Sequence, residues 1–457
     1  MALRSINPAT GEEIKTYSAM LPEEISNIIA AAHKAYLAWR DTSFEHRAEL
    51  MTKAAAVLRN NSDEYARLMT QEVGKPISES QSEVEKCAWV CEYYAENAER
   101  FLARELIESD AEKSFVTYQP LGVVLAVMPW NFPLWQVFRF AAPGLMAGNG
   151  AVLKHASNVS GSALAIEEIF AKAGFPKDLF RTMLIGSDQV GTVLENPFVQ
   201  AATLTGSTKA GQAVAEKAGS LLKKAVLELG GSDPYVILAD ADLDIAVNAC
   251  VSSRLINSGQ SCIAAKRFIV VESIYPQFEK RFVQKMSEAK LGNPMDEETE
   301  VGSQAREDLR DELHEQVKKS IEQGAKCLLG GEIPNGGGAF YPPTVLTNVP
   351  KGSPAYSEEM FGPVAAIIPV KNTEEAIRVA NDTSFGLGAA IFTKDKAKGE
   401  EIAAHQLEAG CCFVNAFVKS DPRLPFGGIK DSGYGRELSH MGIREFVNAK
   451  TVYISVD

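Results

Sequence analysis

One cysteine of the chain lies in a setting that suits a nucleophile. The segment NSGQSCIAAKRF, residues 257–268, places Cys262 between small and polar neighbours, just ahead of the apolar run 267–271. A thiolate attacks an electrophilic carbon well and also leaves well. From this segment alone, Cys262 is either a nucleophile or a buried thiol that fills space.

A carboxylate and an amide elsewhere in the chain would complement such a nucleophile. Glu228 lies in the apolar run VLELGG, where a carboxylate is either an ion-pair partner at a strand end or a general base with a raised pKa. Asn131 lies between Pro129 and Pro133, whose fixed φ angles restrict the segment. A fixed amide donor suits an oxyanion hole, although an Asn that closes a turn has the same pattern.

A glycine-bracketed helix start favours the binding of a phosphate. In TLTGSTKAG, residues 203–211, Gly206 and Gly211 flank the point where a strand pattern changes to a helix pattern. Backbone N–H groups at a helix N-terminus bind phosphate, and glycine lets the phosphate approach. The spacing differs from the G-x-G-x-x-G fingerprint, so a plain helix cap is the alternative. The segment EEMFGPV, residues 358–364, indicates by itself only a loop before a strand.

These segments lie in a chain whose hydrophobic pattern predicts an α/β fold. Helical patterns occupy residues 22–39, 44–71 and 78–103, and two series of alternating strands and helices follow, the first over residues 137–240. Such alternation predicts parallel sheets covered by helices, and hence two α/β domains with the candidate site between them. Residues 448–457 predict a terminal strand, which pairs with a sheet edge that a second subunit can provide.

Composition and charge argue against several classes of protein. The 457 residues are 46% hydrophobic and 23% charged, as in a globular chain of two or three domains. The net charge of −13 argues against a nucleic-acid or anionic-membrane partner, and no apolar run is long enough to span a bilayer. Seven cysteines, an odd number, predict free thiols and a reducing, cytoplasmic location. No metal is expected, because Cys87 and Cys91 lack a second pair of ligands.

Taken in order, the segments resemble the aldehyde dehydrogenase superfamily over essentially the whole chain. The segments that carry the resemblance are PWNFP, GSTKAG, LELGG, GQSC, EMFGPV and PFGGIKDSGYGRE. The resemblance implies that Cys262 is the nucleophile, that Glu228 is the general base and that Asn131 donates to the oxyanion. In that chemistry the thiolate adds to an aldehyde, hydride passes to a nicotinamide, and Glu228 activates the water that releases the acid.

The resemblance also implies a three-part architecture. The expected parts are a Rossmann-like cofactor domain (residues 1–110 and 122–229), an α/β catalytic domain (230–436) and a small β oligomerisation arm (111–121 and 437–457). In this family the arm builds dimers or dimers of dimers, so a homodimer or homotetramer is expected.

A dinucleotide is the cofactor that the resemblance implies. The positions expected to bind it are Trp130, Lys154, Ser157, Gly206, Ser207, Gly211, Leu229, Glu359 and Phe361. Family members restricted to NAD usually have Glu at the position of Ser157, where it accepts hydrogen bonds from ribose and repels a 2′-phosphate. The uncharged Ser157 near Lys154 therefore predicts a preference for NADP, with NAD as the weaker alternative. His155 stands where the usual residue is Pro.

Within the superfamily, the segments PWNFPLWQVFR, LKHAS and KSDPR resemble bacterial succinate-semialdehyde dehydrogenases. Asn131, Trp135 and Arg139 are spaced by four, so on a helix that begins near residue 133 they project from one face. Arg139 is then expected to bind the far carboxylate of an aldehyde acid beside the aromatic Trp135; the alternative is a structural ion pair.

The chain lacks the second Arg that many of those enzymes use to bind the substrate carboxylate. Many of those enzymes have Arg six residues before the nucleophile, where this chain has Ile256. The expected replacements are Ser420 and Arg423, in the loop before PFGG.

Rival functions differ in the residues they require. CoA-acylating relatives generally lack the carboxylate at the position of Glu228, and inactive binding proteins derived from enzymes tend to lose the nucleophile or the base. Both residues are present here. Another small aliphatic aldehyde or semialdehyde is the alternative substrate. Position 264 is Ala, which excludes the disulfide that some relatives form next to the nucleophile.

Overall fold

A computed structural model describes residues 2–456. Its strands are β1 (Ala2–Ile6), β2 (Glu13–Ser18), β3 (Glu105–Ile107), β4 (Lys113–Pro120), β5 (Val123–Met128), β6 (Gly150–His155), β7 (Phe180–Thr182), β8 (Val199–Thr205), β9 (Lys224–Glu228), β10 (Pro234–Ile237), β11 (Arg267–Val271), β12 (Lys326–Leu329), β13 (Thr344–Thr347), β14 (Val364–Val370), β15 (Gly388–Phe392), β16 (Cys411–Val414), β17 (Gly433–Tyr434) and β18 (Val447–Ile454).

The α-helices are α1 (Pro22–Trp39), α2 (Phe44–Asn60), α3 (Ser62–Val73), α4 (Ile77–Phe101), α5 (Trp135–Met146), α6 (Ser160–Lys172), α7 (Val190–Glu195), α8 (Thr208–Ser220), α9 (Leu243–Leu255), α10 (Tyr275–Ser287), α11 (Glu307–Glu322), α12 (Pro354–Ser357), α13 (Thr373–Asn381), α14 (Lys396–His405) and α15 (Ser439–Arg444). Short 3-10 helices cover Ser157–Val159, Ser187–Gln189, Ile256–Gly259 and Lys430–Ser432.

Two large sheets of mainly parallel strands form the centre of the fold. One has six strands in the order β17-β9-β8-β5-β6-β7, and the other has seven in the order β12-β13-β14-β11-β10-β15-β16. Only the end pairs β17–β9 and β12–β13 of these sheets are antiparallel within the described residues. The predicted α/β class is therefore confirmed.

Both faces of each large sheet are buried, which explains the continuous apolar runs in their strands. In β5, Val124 and Ala126 belong to one hydrophobic core, while Val123 and Leu125 belong to the core on the other face. The strands β10 and β11 divide their side chains between two further cores in the same way. Alternate side chains of a strand point to opposite faces, so such strands need apolar residues at every position.

The helices agree with the predicted patterns except at two places. The pattern over residues 44–71 is two helices, because the chain leaves the helical conformation at Asn61, which has φ −120° and ψ 25°. The helix α5 begins at Trp135, so Asn131 precedes it instead of sharing its face with Trp135 and Arg139. The expectation of one helical face for all three residues was therefore wrong.

Two small antiparallel sheets complete the structure of residues 2–456. One pairs β1 with β2, and the other has the order β18-β4-β3, with β18 and β4 in register from Val447↔Pro120 to Ile454↔Lys113. The predicted terminal strand is thus β18, and it pairs with a strand of the same chain. The domain boundaries given above stay a prediction. Among the described residues, no helix combines the length and apolar character that crossing a membrane requires.

Candidate active site

The loop that presents Cys262 is held in a conformation that requires glycine. Asn257, Ser258 and Gly259 have φ angles of 53°, 55° and 78° in succession. A β-carbon on Gly259 would lie 2.2 Å from the backbone of Gly362, so no other residue fits there. The buried Arg254 donates a 2.7 Å hydrogen bond to the carbonyl of Gly259. The loop therefore has little freedom just before the cysteine.

A buried ammonium holds the other side of the same loop. Lys266 Nζ donates hydrogen bonds to the carbonyl oxygens of Ser261 (3.0 Å), Cys262 (2.8 Å) and Ala264 (3.0 Å). Cys262 itself is half-buried, and burial raises the pKa of its thiol to about 12, against the opposing charges of Arg139 and Lys266. At neutral pH the thiol is protonated in this arrangement, so attack on a carbon requires removal of its proton.

Asn131 is bonded directly to the segment that carries the cysteine. Its side-chain Nδ2 donates a 3.1 Å hydrogen bond to the backbone carbonyl of Gln260. The backbone carbonyl of Asn131 accepts a 2.6 Å hydrogen bond from Asn257 Nδ2. An amide nitrogen carries two hydrogens, so one stays available beside Cys262. The predicted oxyanion donor and the predicted nucleophile are thus brought together.

Glu228, at the end of β9, is a buried carboxylate without hydrogen-bond partners among residues 2–456. Burial, and then the nearby Glu437, raise its pKa well above the ordinary range. The positive charge of Arg139 opposes that rise of the Glu228 pKa. Arg139 itself forms an ion pair with Glu437 and donates a 3.2 Å hydrogen bond to Thr205 Oγ1. The ion-pair alternative for Arg139 is therefore present in the structure.

Two cavities meet at Cys262. The first, of about 420 Å³, is lined by Lys86, Trp135, Arg139, Phe417, Ser420 and Phe426 among others. The second, of about 240 Å³, is lined by Trp130, Asn131, Gly206, Ser207, Glu359 and Phe361 among others. Cys262 and Gln136 line both cavities. A group held in either cavity thus has access to the thiol.

Most residues expected to bind the dinucleotide lie around the second cavity, and Leu229 also lines it. Gly211 lies behind it: a β-carbon there would be 2.5 Å from Leu229 Cδ2, so glycine lets α8 approach the sheet. Ser207 caps α8 by accepting a 3.3 Å hydrogen bond from the N–H of Ala210. Glu359 accepts a 2.9 Å hydrogen bond from the N–H of Gly231.

Lys154 and Ser157 lie at the end of β6, outside the lining of that cavity. Ser157 is exposed, and burial lowers the pKa of Lys154. The intervening His155 is buried; its Nε2 lies 2.9 Å from the carbonyl oxygen of Pro133, and its Nδ1 accepts a hydrogen bond from the N–H of Ala156. Because Nδ1 accepts, Nε2 is the donor and the ring is neutral. This histidine ties the end of β6 to the segment of Asn131.

Three of the four residues expected to bind substrate line the first cavity: Trp135, Arg139 and Ser420. Arg423 does not. Its guanidinium makes two hydrogen bonds to Asp421 (2.9 and 2.6 Å) and lies 5.5 Å from the centre of the Trp89 ring, with 66% of the side chain exposed. Because Asp421, two residues away, holds the guanidinium of Arg423 at the surface, Arg423 does not reach the cavity.

Sequence reasoning missed several residues of the site. They are Lys86, Gln136, Lys266 and Glu437. Lys86 lies outside the motif segments quoted from the sequence. Gln136, Lys266 and Glu437 belong to PWNFPLWQVFR, NSGQSCIAAKRF and PFGGIKDSGYGRE, but nothing in those segments singled them out. Within residues 2–456, no group of three or more His, Cys, Asp or Glu side chains is arranged to hold a metal ion.

Comparison with known proteins gives a consistent result. Residues 1–452 match the family described as "Aldehyde dehydrogenase family". The chain is 50% identical over 455 residues to a probable NADP(+) succinate-semialdehyde dehydrogenase of Synechocystis sp., covering 100% of both chains. It is 48% identical over 449 residues to the NAD(P)+ succinate semialdehyde dehydrogenase Sad of Escherichia coli, covering 98% of this chain and 97% of that one. A crystal structure of succinic semialdehyde dehydrogenase from Streptococcus pyogenes with NADP+ superposes with a TM-score of 0.97 at 40% identity, covering 99% and 100% of the two chains.

Proposed function

This chain belongs to the aldehyde dehydrogenase family, and on that premise we propose that it oxidises succinic semialdehyde to succinate, with NADP preferred over NAD. The observation that carries the proposal is the position of Cys262, where a cavity containing cations meets a second cavity that opens at the start of α8. The names of the two relatives described above support the same substrate and cofactor.

The residues around the second cavity fit a nicotinamide dinucleotide. The backbone turns from β8 into α8 at Gly206 and Ser207, and the N–H groups of such a helix start suit a phosphate. Gly211 leaves no room for a side chain against Leu229. Farther out, Ser157 is exposed and uncharged, so it does not repel a 2′-phosphate, and Lys154 adds positive charge on the same strand end.

The first chemical step is attack of the Cys262 sulfur on the aldehyde carbon, once the thiol has lost its proton to solvent water. The charge that develops on the aldehyde oxygen is stabilised by the free N–H of the Asn131 amide and by the backbone N–H of Cys262. Lys266 and Arg139 favour the thiolate electrostatically and so assist the loss of the thiol proton. Lys266 also fixes the loop carbonyls and thereby the direction of the sulfur.

The second step releases the acid. Gly206, Ser207 and Glu359 line the cavity that would hold NADP, and the cofactor would supply there the acceptor for the hydride from the substrate carbon. A thioester is left on Cys262, and Glu228 takes a proton from the water that attacks it. A carboxylate with a raised pKa is a stronger base than one in water. The oxygens of Glu228 have no hydrogen-bond partner among residues 2–456 and are free to accept that proton.

We also place the enzyme in the cytoplasm as a homodimer or homotetramer. A reducing compartment keeps Cys262 as a free thiol. The sheet β18-β4-β3 exposes apolar side chains, including 73% of Leu106 and 54% of Tyr453, which suits burial against another subunit. Light scattering on the purified protein measures the assembly directly; a monomer would contradict this part of the proposal.

The function is tested by following formation of the reduced cofactor with two aldehydes. Succinic semialdehyde and butyraldehyde have the same chain length, but only the first carries a carboxylate. We expect the highest kcat/KM for succinic semialdehyde with NADP, and no oxidation by Cys262→Ala, which should still bind NADP. Turnover by that variant, or a higher kcat/KM for butyraldehyde in the wild-type enzyme, would overturn the proposal.

A further inference from the structure

The first cavity contains a cation that the sequence analysis did not single out. Lys86 lies in α4, and its Nζ is 4.3 Å from the centre of the Trp135 ring. Nζ donates a 2.7 Å hydrogen bond to the hydroxyl of Ser420. No carboxylate among residues 2–456 forms an ion pair with Lys86, although it lines the same cavity as Cys262. An ammonium drawn out of water without a counter-charge is costly, so an anionic partner would stabilise it.

The other cations near this cavity are either paired with a carboxylate or exposed to solvent. Arg139 is paired with Glu437 and bonded to Thr205. Arg423 is paired with Asp421 at the surface. Lys419 lines the cavity but is exposed. Among the described cations that line the cavity, Lys86 is therefore the one that is withdrawn from water and forms no ion pair.

The carboxylates of the cavity wall form their ion pairs and hydrogen bonds with other groups, and Glu83 and Asp421 favour the charged form of Lys86 only from a distance. Glu83 forms an ion pair with the buried Lys75 and accepts two backbone hydrogen bonds of 2.9 Å at the start of α5. Glu79 accepts a 2.6 Å hydrogen bond from the N–H of Asn257, and burial raises its pKa to about 7. An additional carboxylate can therefore approach Lys86 without displacing an existing pair.

We infer that Lys86, together with Ser420, binds the carboxylate at the far end of the substrate. The inference rests on the proposed function, which supplies an aldehyde acid to this cavity. Ser420 accepts a hydrogen bond from Lys86, so its own hydroxyl hydrogen is free to donate to a carboxylate oxygen. Ile256 lines the cavity at the position where many succinate-semialdehyde dehydrogenases have Arg, and here the charge comes instead from α4.

The electrostatics of the side chain agree with this role. Burial, and then the positive charge of Arg139, lower the pKa of Lys86 to about 8. A carboxylate bound at Nζ favours the charged ammonium and so offsets both effects. The flat face of Trp135 under the ammonium adds attraction for the cation and limits where it can move.

The test is Lys86→Met, which keeps an unbranched side chain over Trp135 and removes the charge. We expect kcat/KM for succinic semialdehyde to fall by about ten- to a hundredfold, the usual effect of losing a hydrogen bond to a charged group, and mainly through KM. Butyraldehyde oxidation should change by less than about threefold, which also shows that the variant is folded. Succinate should inhibit butyraldehyde oxidation by the wild-type enzyme and lose that effect in Lys86→Met, whereas Lys86→Arg should retain part of it.

Two further variants make the result specific. Arg100→Met removes an exposed cation from the same helix and should leave both substrates unaffected. Arg423→Met tests the residue expected from the sequence. The inference is overturned if Lys86→Met keeps the wild-type preference for succinic semialdehyde, if both aldehydes suffer equally, or if the loss appears in Arg423→Met instead. Failure of the proposed function looks different, because the wild-type enzyme would then show no such preference.

Discussion

Gly427 lies against the carboxylate of Glu228 so closely that a β-carbon at Gly427 would be 2.6 Å from Glu228 Oε1. The next nearest atoms belong to the backbone of Gly435 and the side chain of Arg436, so the glycine fills a place where no side chain fits. Among residues 2–456 no hydrogen bond holds the carboxylate of Glu228, so the space that Gly427 leaves is what allows it to lie there.

Gly427→Ala is therefore expected to displace Glu228 and slow the release of acid. The first turnover should still produce a burst of NADPH, while steady-state kcat falls by about tenfold to a thousandfold, a partial loss of the roughly 10²–10⁴-fold that a general base contributes. Stopped-flow absorbance separates the two phases. Gly352→Ala is the matched control. Like Gly427, Gly352 has a positive φ (87°), but it has open space around it. An unchanged steady state in Gly427→Ala would show that the gap does not matter to catalysis.

Ser157 is expected to set the preference for NADP. Ser157→Glu places a carboxylate at an exposed position beside Lys154, where it repels a 2′-phosphate and accepts hydrogen bonds from ribose hydroxyls. The ratio of kcat/KM with NADP to kcat/KM with NAD should fall by at least about tenfold. Ser157→Ala separates loss of the hydroxyl from gain of the charge and should move the ratio much less. A wild-type enzyme that prefers NAD would contradict this explanation.

His155 makes the stability of the fold dependent on pH. Burial lowers its pKa to about 4, from an ordinary value of 6.5. Between these values the unfolded chain binds a proton that the folded chain does not, so the free energy of unfolding falls as the pH falls through this window. From pH 7 to pH 5 this one group should remove about 2 kcal/mol.

Urea unfolding at the two pH values measures this effect. His155→Gln cannot take up a proton, and its amide is still able to donate to Pro133, so its loss of stability from pH 7 to pH 5 should be smaller by about the same 2 kcal/mol. His440→Gln, at an exposed histidine, should follow the wild-type protein. Equal pH dependence in all three proteins would mean that His155 does not stay neutral in the fold.

The sequence was sufficient for features that depend on local pattern. The alternation of strand and helix patterns predicted parallel sheets covered by helices, and the prolines around Asn131 predicted a restricted segment. Where the pattern failed, the cause was also local. Asn61 has a conformation that separates two helices although the apolar spacing continues across it.

The electrostatic partners could not be predicted in this way, because they come from distant segments. Arg139 and Glu437 form an ion pair, and Lys86 and Ser420 a hydrogen bond, although about 300 or more residues separate the partners of each pair in the sequence. Arg423 shows the opposite case: its acidic partner Asp421 is two residues away and visible in the sequence, but local spacing does not reveal which of two possible anions an arginine selects.

The central claim is that Cys262 carries the substrate as a thioester that Glu228 releases. The most direct test is the intact mass of Glu228→Gln after incubation with succinic semialdehyde and NADP, followed by peptide mapping. We predict NADPH equivalent to about one turnover and the added mass of one succinyl group on the peptide that contains Cys262. NADPH formation without that adduct, or with the adduct on another residue, would contradict the account.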